Sequence, residues 1–282
     1  MTEQHFNTPA EVIDATLEGG KRKSQLPFAK MVLLGIMAGA FIALGGATSS
    51  TAVHAITNVG ISRAVAGYIF PVGLMMIVFV GGELFTGDCL MVMDVICGKV
   101  SVGACVRSLC VVYVSNLIGA LIIDFLLFYS GNLDYSSGLL GAYTIKVAVG
   151  KVAITPLKGV TSGILCNILV CIAVLMAAAA SDIAGKVWAI FFPILAFVVG
   201  GFEHCVANMF YIPAGILAAT NPDYVAKAQE AYGITAEQIN SLTVLGSLHN
   251  FIPVTIGNIL GGMVFVGVPC YFIQKAKAKK KA

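Results

Sequence analysis

The chain has 282 residues, of which 58% are hydrophobic and only 11% charged. A soluble domain carries roughly 25% charged residues, so the composition excludes a disordered chain, a nucleic-acid-binding surface and an ordinary soluble enzyme. The net charge of +3 comes largely from the C-terminal lysines and reads as a topology signal.

The first 29 residues are polar, with no short apolar run ending in a small-residue cleavage site. Thr8-Pro9-Ala10-Glu11 spells an N-cap, an N1 proline and an N3 glutamate. This predicts a short amphipathic helix to about Leu17, as a plain surface helix, a gate or a docking site for a cytoplasmic partner. Charges then withdraw. No Asp, Glu, Lys or Arg occurs between Lys30 and Arg63, Arg63 and Glu83, Arg107 and Asp124, Lys158 and Asp182, Lys186 and Glu203, Glu203 and Asp223, or Glu237 and Lys275. A membrane-crossing helix needs about 20 mostly apolar residues. Six spans are expected, over about 31–55, 68–97, 105–129, 159–181, 187–218 and 247–273. The layout is an N-terminal segment 1–29, a membrane domain 30–273 and a basic tail 274–282. With the N-terminus inside, twelve Lys and Arg fall on the inner side and five on the outer, which puts both termini in the cytoplasm. The eight cysteines lie away from the predicted outer loops and show no metal spacing with His, so they read as small buried apolar residues without disulfides.

The halves resemble each other in three places, in the same order. Lys30-Met-Val-Leu-Leu-Gly-Ile-Met37 matches Lys158-Gly-Val-Thr-Ser-Gly-Ile-Leu165. Phe79-Val-Gly-Gly-Glu83 matches Val198-Val-Gly-Gly-Phe-Glu203 with one inserted residue, and Val114-Ser-Asn-Leu-Ile-Gly-Ala120 matches Ile256-Gly-Asn-Ile-Leu-Gly-Gly262. Three spans per copy make the second copy inverted, as in transporters and channels whose pathway lies near the repeat interface.

The second and fifth spans are overlong and interrupted, by Gly81-Gly82-Glu83-Leu84-Phe85-Thr86-Gly87-Asp88 and by Gly200-Gly201-Phe202-Glu203-His204-Cys205-Val206-Ala207-Asn208. Paired glycines permit non-helical backbone, tolerated at membrane depth only inside protein or along a wet cavity. Ionisable residues there mark a functional site by default. His204 can donate to an anion or exchange a proton with it, with Thr86 facing it from the other loop. Glu83 and Glu203 occupy equivalent places and are expected to cap freed N–H groups of the loops. Asn116, Asn167, Asn208 and Asn258 are expected to bond loop backbone or a neighbouring helix, with Asn167 and Asn208 also candidates for lining the path. Lys151, just before the fourth span, is either an interface lysine or a charge drawing anions into an outer vestibule.

Gly82-Glu-Leu-Phe-Thr-Gly87, Gly201-Phe-Glu-His-Cys-Val-Ala-Asn-Met-Phe-Tyr-Ile-Pro213 and Asn250-Phe-Ile-Pro-Val-Thr-Ile-Gly-Asn258 resemble the signatures of the formate/nitrite transporter family, over about Thr8 to Gln274. The resemblance implies an all-α, aquaporin-like protomer of six helices with the second and fifth broken, assembled as a homopentamer in a bacterial or archaeal plasma membrane. It implies a pore histidine at His204, its threonine at Thr86 and a vestibule lysine at Lys151, sixteen residues before Asn167. It also implies hydrophobic constrictions at Leu74, Leu84, Phe85 and Phe197, with Phe70 adjacent; Asn208 and Asn258 match as well.

A charged anion crosses two apolar constrictions only at high energy, so the expected activity is pH-dependent, channel-like or proton-coupled transport of a small weak-acid anion. Formate is favoured, with nitrite and hydrosulfide as alternatives; protons and lipid are the other partners, and no cofactor or nucleic acid is expected. An enzyme is disfavoured because His5, His54, His204 and His249 are scattered without a nucleophile or metal pattern. A neutral-solute pore of aquaporin type would carry Asn-Pro-Ala in both broken helices, and neither loop has it.

Overall fold

The computed structural model describes residues 6–275. The capping box forms as expected: the Thr8 side chain accepts from Glu11 N, and Glu11 reaches back to the Thr8 backbone. The helix it starts, α1 (Pro9–Ser24), runs well past Leu17. Its Gly19-Gly20 pair does not end it, because Gly20 lets the helix lie directly on Asp94, where a Cβ would stand 1.9 Å from Oδ2. His5 and the tail lysines beyond Lys275 lie outside the described residues.

Among the described residues six apolar helical stretches are long enough to cross a membrane. They are α2 (Phe28–Val53), the pair α3 (Val59–Ile69) and α4 (Val72–Val80), α7 (Val102–Tyr129), α9 (Pro156–Ala179), α10 (Ile183–Gly200), and α14 (Val244–Leu260) continued through a π-helical turn, Gly261–Gly267, into α15 (Val268–Lys275). Several begin earlier than expected because the helix runs on through a terminal cation. Arg63 lies inside α3, Lys158 inside α9 and Lys186 inside α10; a long cationic side chain near a helix end can carry its charge to the interface. The second span resumes after its break as α5 (Phe85–Asp88), a 3₁₀ turn and α6 (Val92–Ile96); the fifth resumes as α11 (Cys205–Ala218).

The two halves are built alike. Gly35 and Gly163 stand 128 residues apart, as do Lys30 and Lys158, while Asn116 and Asn258 stand 142 apart. Glycines in the third span of each half bring it against the first: a Cβ on Gly119 would meet Ile36 O at 2.0 Å, and one on its counterpart Gly261 would meet Ile164 O at 2.4 Å. Small residues at helix crossings allow this close approach. Asn7 N and Nδ2 donate to Ala179 O and Ala178 O, each at 2.8 Å. This fixes the end of α9 at the face where α1 lies and α2 begins, so the second half is inverted. In the loops, Gly81 (φ 105°) and Gly201 (φ 68°) both end half-helices in the left-handed half of backbone space. Their pairing aligns Gly82 with Phe202 and removes the inserted residue expected from the sequence match.

One element was not foreseen. α8 (Tyr135–Val152) lies at the face opposite α1 and packs on α11 and on α12 (Pro222–Tyr232). Ser136, Ser137 and Gly138 are all left-handed, so its regular helix runs only over 139–152, with two lysines in it, too short and too charged for a span. A short helix, α13 (Ala236–Asn240), follows α12. All eight cysteines are free thiols, but Cys110 is exposed on α7 and Cys97 and Cys270 are half-buried, so only five fit the expectation of burial.

Candidate functional site

The loops are held by two asparagines acting identically. Asn116 Oδ1 accepts from Phe85 N at 3.0 Å, and its Nδ2 donates to Gly35 O at 2.8 Å and Glu83 O at 2.9 Å. Asn258 Oδ1 accepts from Cys205 N at 2.8 Å, and its Nδ2 donates to Gly163 O at 2.8 Å and Glu203 O at 2.9 Å. Each fully buried amide satisfies two backbone groups freed by the break and ties them to a carbonyl of the first span of its half, Gly35 in α2 or Gly163 in α9.

The asparagines thus take the part expected of Glu83 and Glu203. Neither carboxylate caps loop backbone; each pairs with a lysine. Lys151 Nζ stands 2.7 Å from Glu203 Oε1, whose other oxygen accepts from Asn208 Nδ2 at 2.7 Å and Asn250 Nδ2 at 3.4 Å. In the first half Lys23, near the end of α1, stands 2.7 Å from Glu83 Oε2 and 2.5 Å from Asp88 Oδ1. The reason is supply: an amide brings both donor and acceptor to backbone, whereas a carboxylate only accepts. Lys23, Asp88 and Asn250 were missed from the sequence. A signal existed for two of them. Lys23 precedes Lys151 by the same 128 residues that relate Lys30 to Lys158, and Asp88 precedes Asn208 by the 120 that relate Glu83 to Glu203. Asn250 shows itself only in space, where its Nδ2 also donates to Lys151 O at 2.9 Å.

His204 is the N-cap of α11. Its Nδ1 accepts from Ala207 N at 3.0 Å, and its Nε2 lies 3.0 Å from Thr86 Oγ1. A ring nitrogen that accepts from an N–H carries no proton. The neutral imidazole therefore holds its proton on Nε2 and donates it to Thr86 Oγ1. The Thr86 hydroxyl, an acceptor in that bond, keeps its own proton to give. Thr86 is held from behind, its carbonyl accepting from Asn167 Nδ2 at 3.2 Å; Asn167 also donates to Asn258 O at 2.6 Å. Asn208 donates to Glu203 and to Asn250 Oδ1, at 2.8 Å.

A vestibule of about 790 Å³ opens at the face opposite α1 and reaches His204, Asn208, Phe70 and Phe197 at its floor. Phe70 and Phe197 meet edge to face with centroids 5.5 Å apart, and Phe197 lies 5.9 Å from the His204 ring. Leu74, Leu84 and Phe85 are buried in the same core, outside the vestibule lining, with Phe85 edge-on to Tyr113 at 4.8 Å. The vestibule wall carries Arg63, Lys146 and Lys151 against one carboxylate, Glu203. Since Glu203 neutralises Lys151, the uncompensated charges are Arg63, whose Nη1 reaches Val199 O at 3.4 Å, and Lys146, seated over the Tyr232 ring at 4.5 Å. Among the described residues no three His, Cys, Asp or Glu side chains cluster to hold a metal ion.

A membrane protein of six spans in inverted halves, with a capped histidine and threonine between two broken helices under a positive vestibule, has the build of a polytopic transporter or channel. The family model described as formate/nitrite transporter matches residues 10–272, and the chain belongs to that family. It is 36% identical over 279 residues to a probable formate transporter of Methanothermobacter thermautotrophicus, covering 93% of this chain and 94% of that one. It is 34% identical over 270 residues to the formate channel FocA of Escherichia coli K12, covering 94% and 93%. A solved pentameric formate channel with formate bound superposes with a TM-score of 0.77 at 34% identity, covering 87% of this chain and 97% of the other.

Proposed function

We propose that this chain conducts small monovalent weak-acid anions, formate foremost, as a homopentamer with a pathway in each subunit. The formate preference and the pentamer follow the similarity to channels so described in bacteria and to the archaeal formate transporter. The setting is a bacterial or archaeal plasma membrane with both termini in the cytoplasm, which rests on the twelve-to-five distribution of Lys and Arg. On this reading 30–273 is the channel unit and 1–29 a cytoplasmic segment whose α1 packs against it.

The observation that carries the reading is the bond between His204 Nε2 and Thr86 Oγ1 at the vestibule floor. An anion arriving past Phe70 and Phe197 would break that bond and receive two in exchange, from His204 Nε2–H and Thr86 Oγ–H. Preplaced donors in a water-poor site hold an anion far better than exposed ones do. Beyond them Leu74, Leu84 and Phe85 form the second apolar barrier, which a protonated acid crosses at much lower energy than its anion.

Proton transfer has a geometric condition. If neutral His204 gave up its Nε2 proton it would become an imidazolate, so it must first take a second proton on Nδ1. That nitrogen is occupied by Ala207 N. Sharing a proton with the anion therefore requires the cap on α11 to open, which couples proton uptake to a local movement of the fifth-span loop. Reconstituted protein in proteoliposomes tests the substrate assignment: formate flux should exceed that of nitrite, hydrosulfide, acetate and lactate. Faster nitrite or hydrosulfide flux would move the assignment to that anion.

A further inference from the structure

Beside the vestibule, α2, α7, α8 and α11 enclose a second, much smaller cavity of about 20 Å³. That volume admits a single water-sized occupant. Asp124 of α7 lines it, is 2% exposed, and neither of its carboxylate oxygens has a hydrogen-bond partner. An isolated carboxylate within a membrane helix is costly unless something answers its charge.

The other polar lining residues are Ser50, Thr51, Asn132 and Thr144; no Lys, Arg or His faces the cavity from any of its four helices or from the Asn132–Leu133 turn. The threonines cannot supply hydrogen bonds to Asp124. Thr51 Oγ1 donates to Ala47 O at 3.0 Å and Thr144 Oγ1 to Leu140 O at 2.8 Å. With their protons committed, both hydroxyls have only lone pairs left to offer. The donors left in the lining, Ser50 and Asn132, are neutral, so a charge on Asp124 calls for an occupant that brings positive charge.

We propose that Asp124 anchors a site for one small monovalent cation of sodium size, with the Thr51 and Thr144 hydroxyl oxygens as neutral ligands. The donor set is oxygen only, which suits a hard cation. A single carboxylate balances one positive charge, so a divalent ion would be left half-compensated. Ser50 lines both this cavity and the vestibule, which gives the ion a short route from water. A bound ion would tie α8, which carries Lys151, to α2 and α7, and so brace the vestibule wall. The inference is independent of which anion the chain transports.

The test is thermal unfolding of the purified protein in detergent, in sodium chloride against choline chloride at equal concentration, with lithium, potassium and calcium chlorides alongside. Sodium should raise the melting temperature by about 2–4 °C at saturation. Asp124→Asn, of nearly the same shape, should abolish the rise, and Thr144→Val should shrink it. Equal melting in all salts would overturn the site, as would a sodium rise of the same size in Asp124→Asn. A larger rise with calcium than with sodium would overturn the monovalent assignment. An infrared carbonyl stretch of a protonated acid in the presence of sodium, missing in Asp124→Asn, would show a neutral Asp124 and also overturn it.

Discussion

The two broken spans share a scaffold and differ in chemistry. Asn116 and Asn258 hold their loops through matching sets of three bonds, and a lysine pairs with the loop glutamate in both. Two of the positions that differ change the cap and the ion pair. His204 in the second half corresponds to Leu84 in the first: both stand at the N-cap of a half-helix, but only the histidine side chain makes the cap bond. Asn208 corresponds to Asp88, so Lys23 meets two carboxylates while Lys151 meets one. The formal charge of the cluster is −1 near α1 and zero beside the vestibule. The scaffold keeps the breaks closed in both halves, while the donors suited to an anion belong to the second half and its partner Thr86.

The largest effect should come from the scaffold. Asn258→Ala leaves the loop groups Cys205 N and Glu203 O unpaired in a buried site, at roughly 1–3 kcal/mol each, and also loses the tie to Gly163 O of α9. Asn116→Ala should be as damaging. Thermal unfolding checks both, and a marked inequality would break the equivalence of the halves.

The ion pairs should separate the halves. Lys151 is 19% exposed in its side chain and Lys23 is 33%. Lys151→Met should cost about 3 kcal/mol by stranding a buried carboxylate. Lys23→Met strands two that are no less buried, Glu83 at 11% and Asp88 at 1% against 9% for Glu203, and should cost more. Equal losses in denaturant unfolding would mean that the number of stranded carboxylates does not govern the difference.

A smaller effect should appear at the vestibule. Arg63→Gln and Lys146→Gln should each lower formate flux from the vestibule side about threefold at low salt and low formate, with little change at 0.5 M salt, where screening is nearly complete. The same loss at both salt concentrations would assign these residues a packing role instead.

Much of this was legible in the sequence. The six spans and the two breaks follow from where charge is scarce and where glycines pair, and Thr86 was expected to face His204 across the two breaks, as it does. What was illegible has physical reasons. α8 carries Lys146 and Lys151 and begins in left-handed backbone, so neither a hydropathy run nor a capping signal announces it. The carboxylates of Glu83 and Glu203 were expected on loop N–H groups, a role that fits a lone acceptor; one N–H and one carbonyl per loop need an amide. Lys23 sits in a polar segment 60 residues before Glu83, and only its repeat offset from Lys151 ties it to the break.

The central claim is that His204, neutral and capped at rest, takes up a second proton when its cap opens and shares it with the passing anion. His204→Asn tests it directly, because Asn is a good N-cap that keeps the α11 start but cannot titrate. Formate flux in proteoliposomes, measured from pH 4 to 8, should lose its pH dependence in this variant while the protein stays folded. Unchanged flux with unchanged pH dependence would contradict the account.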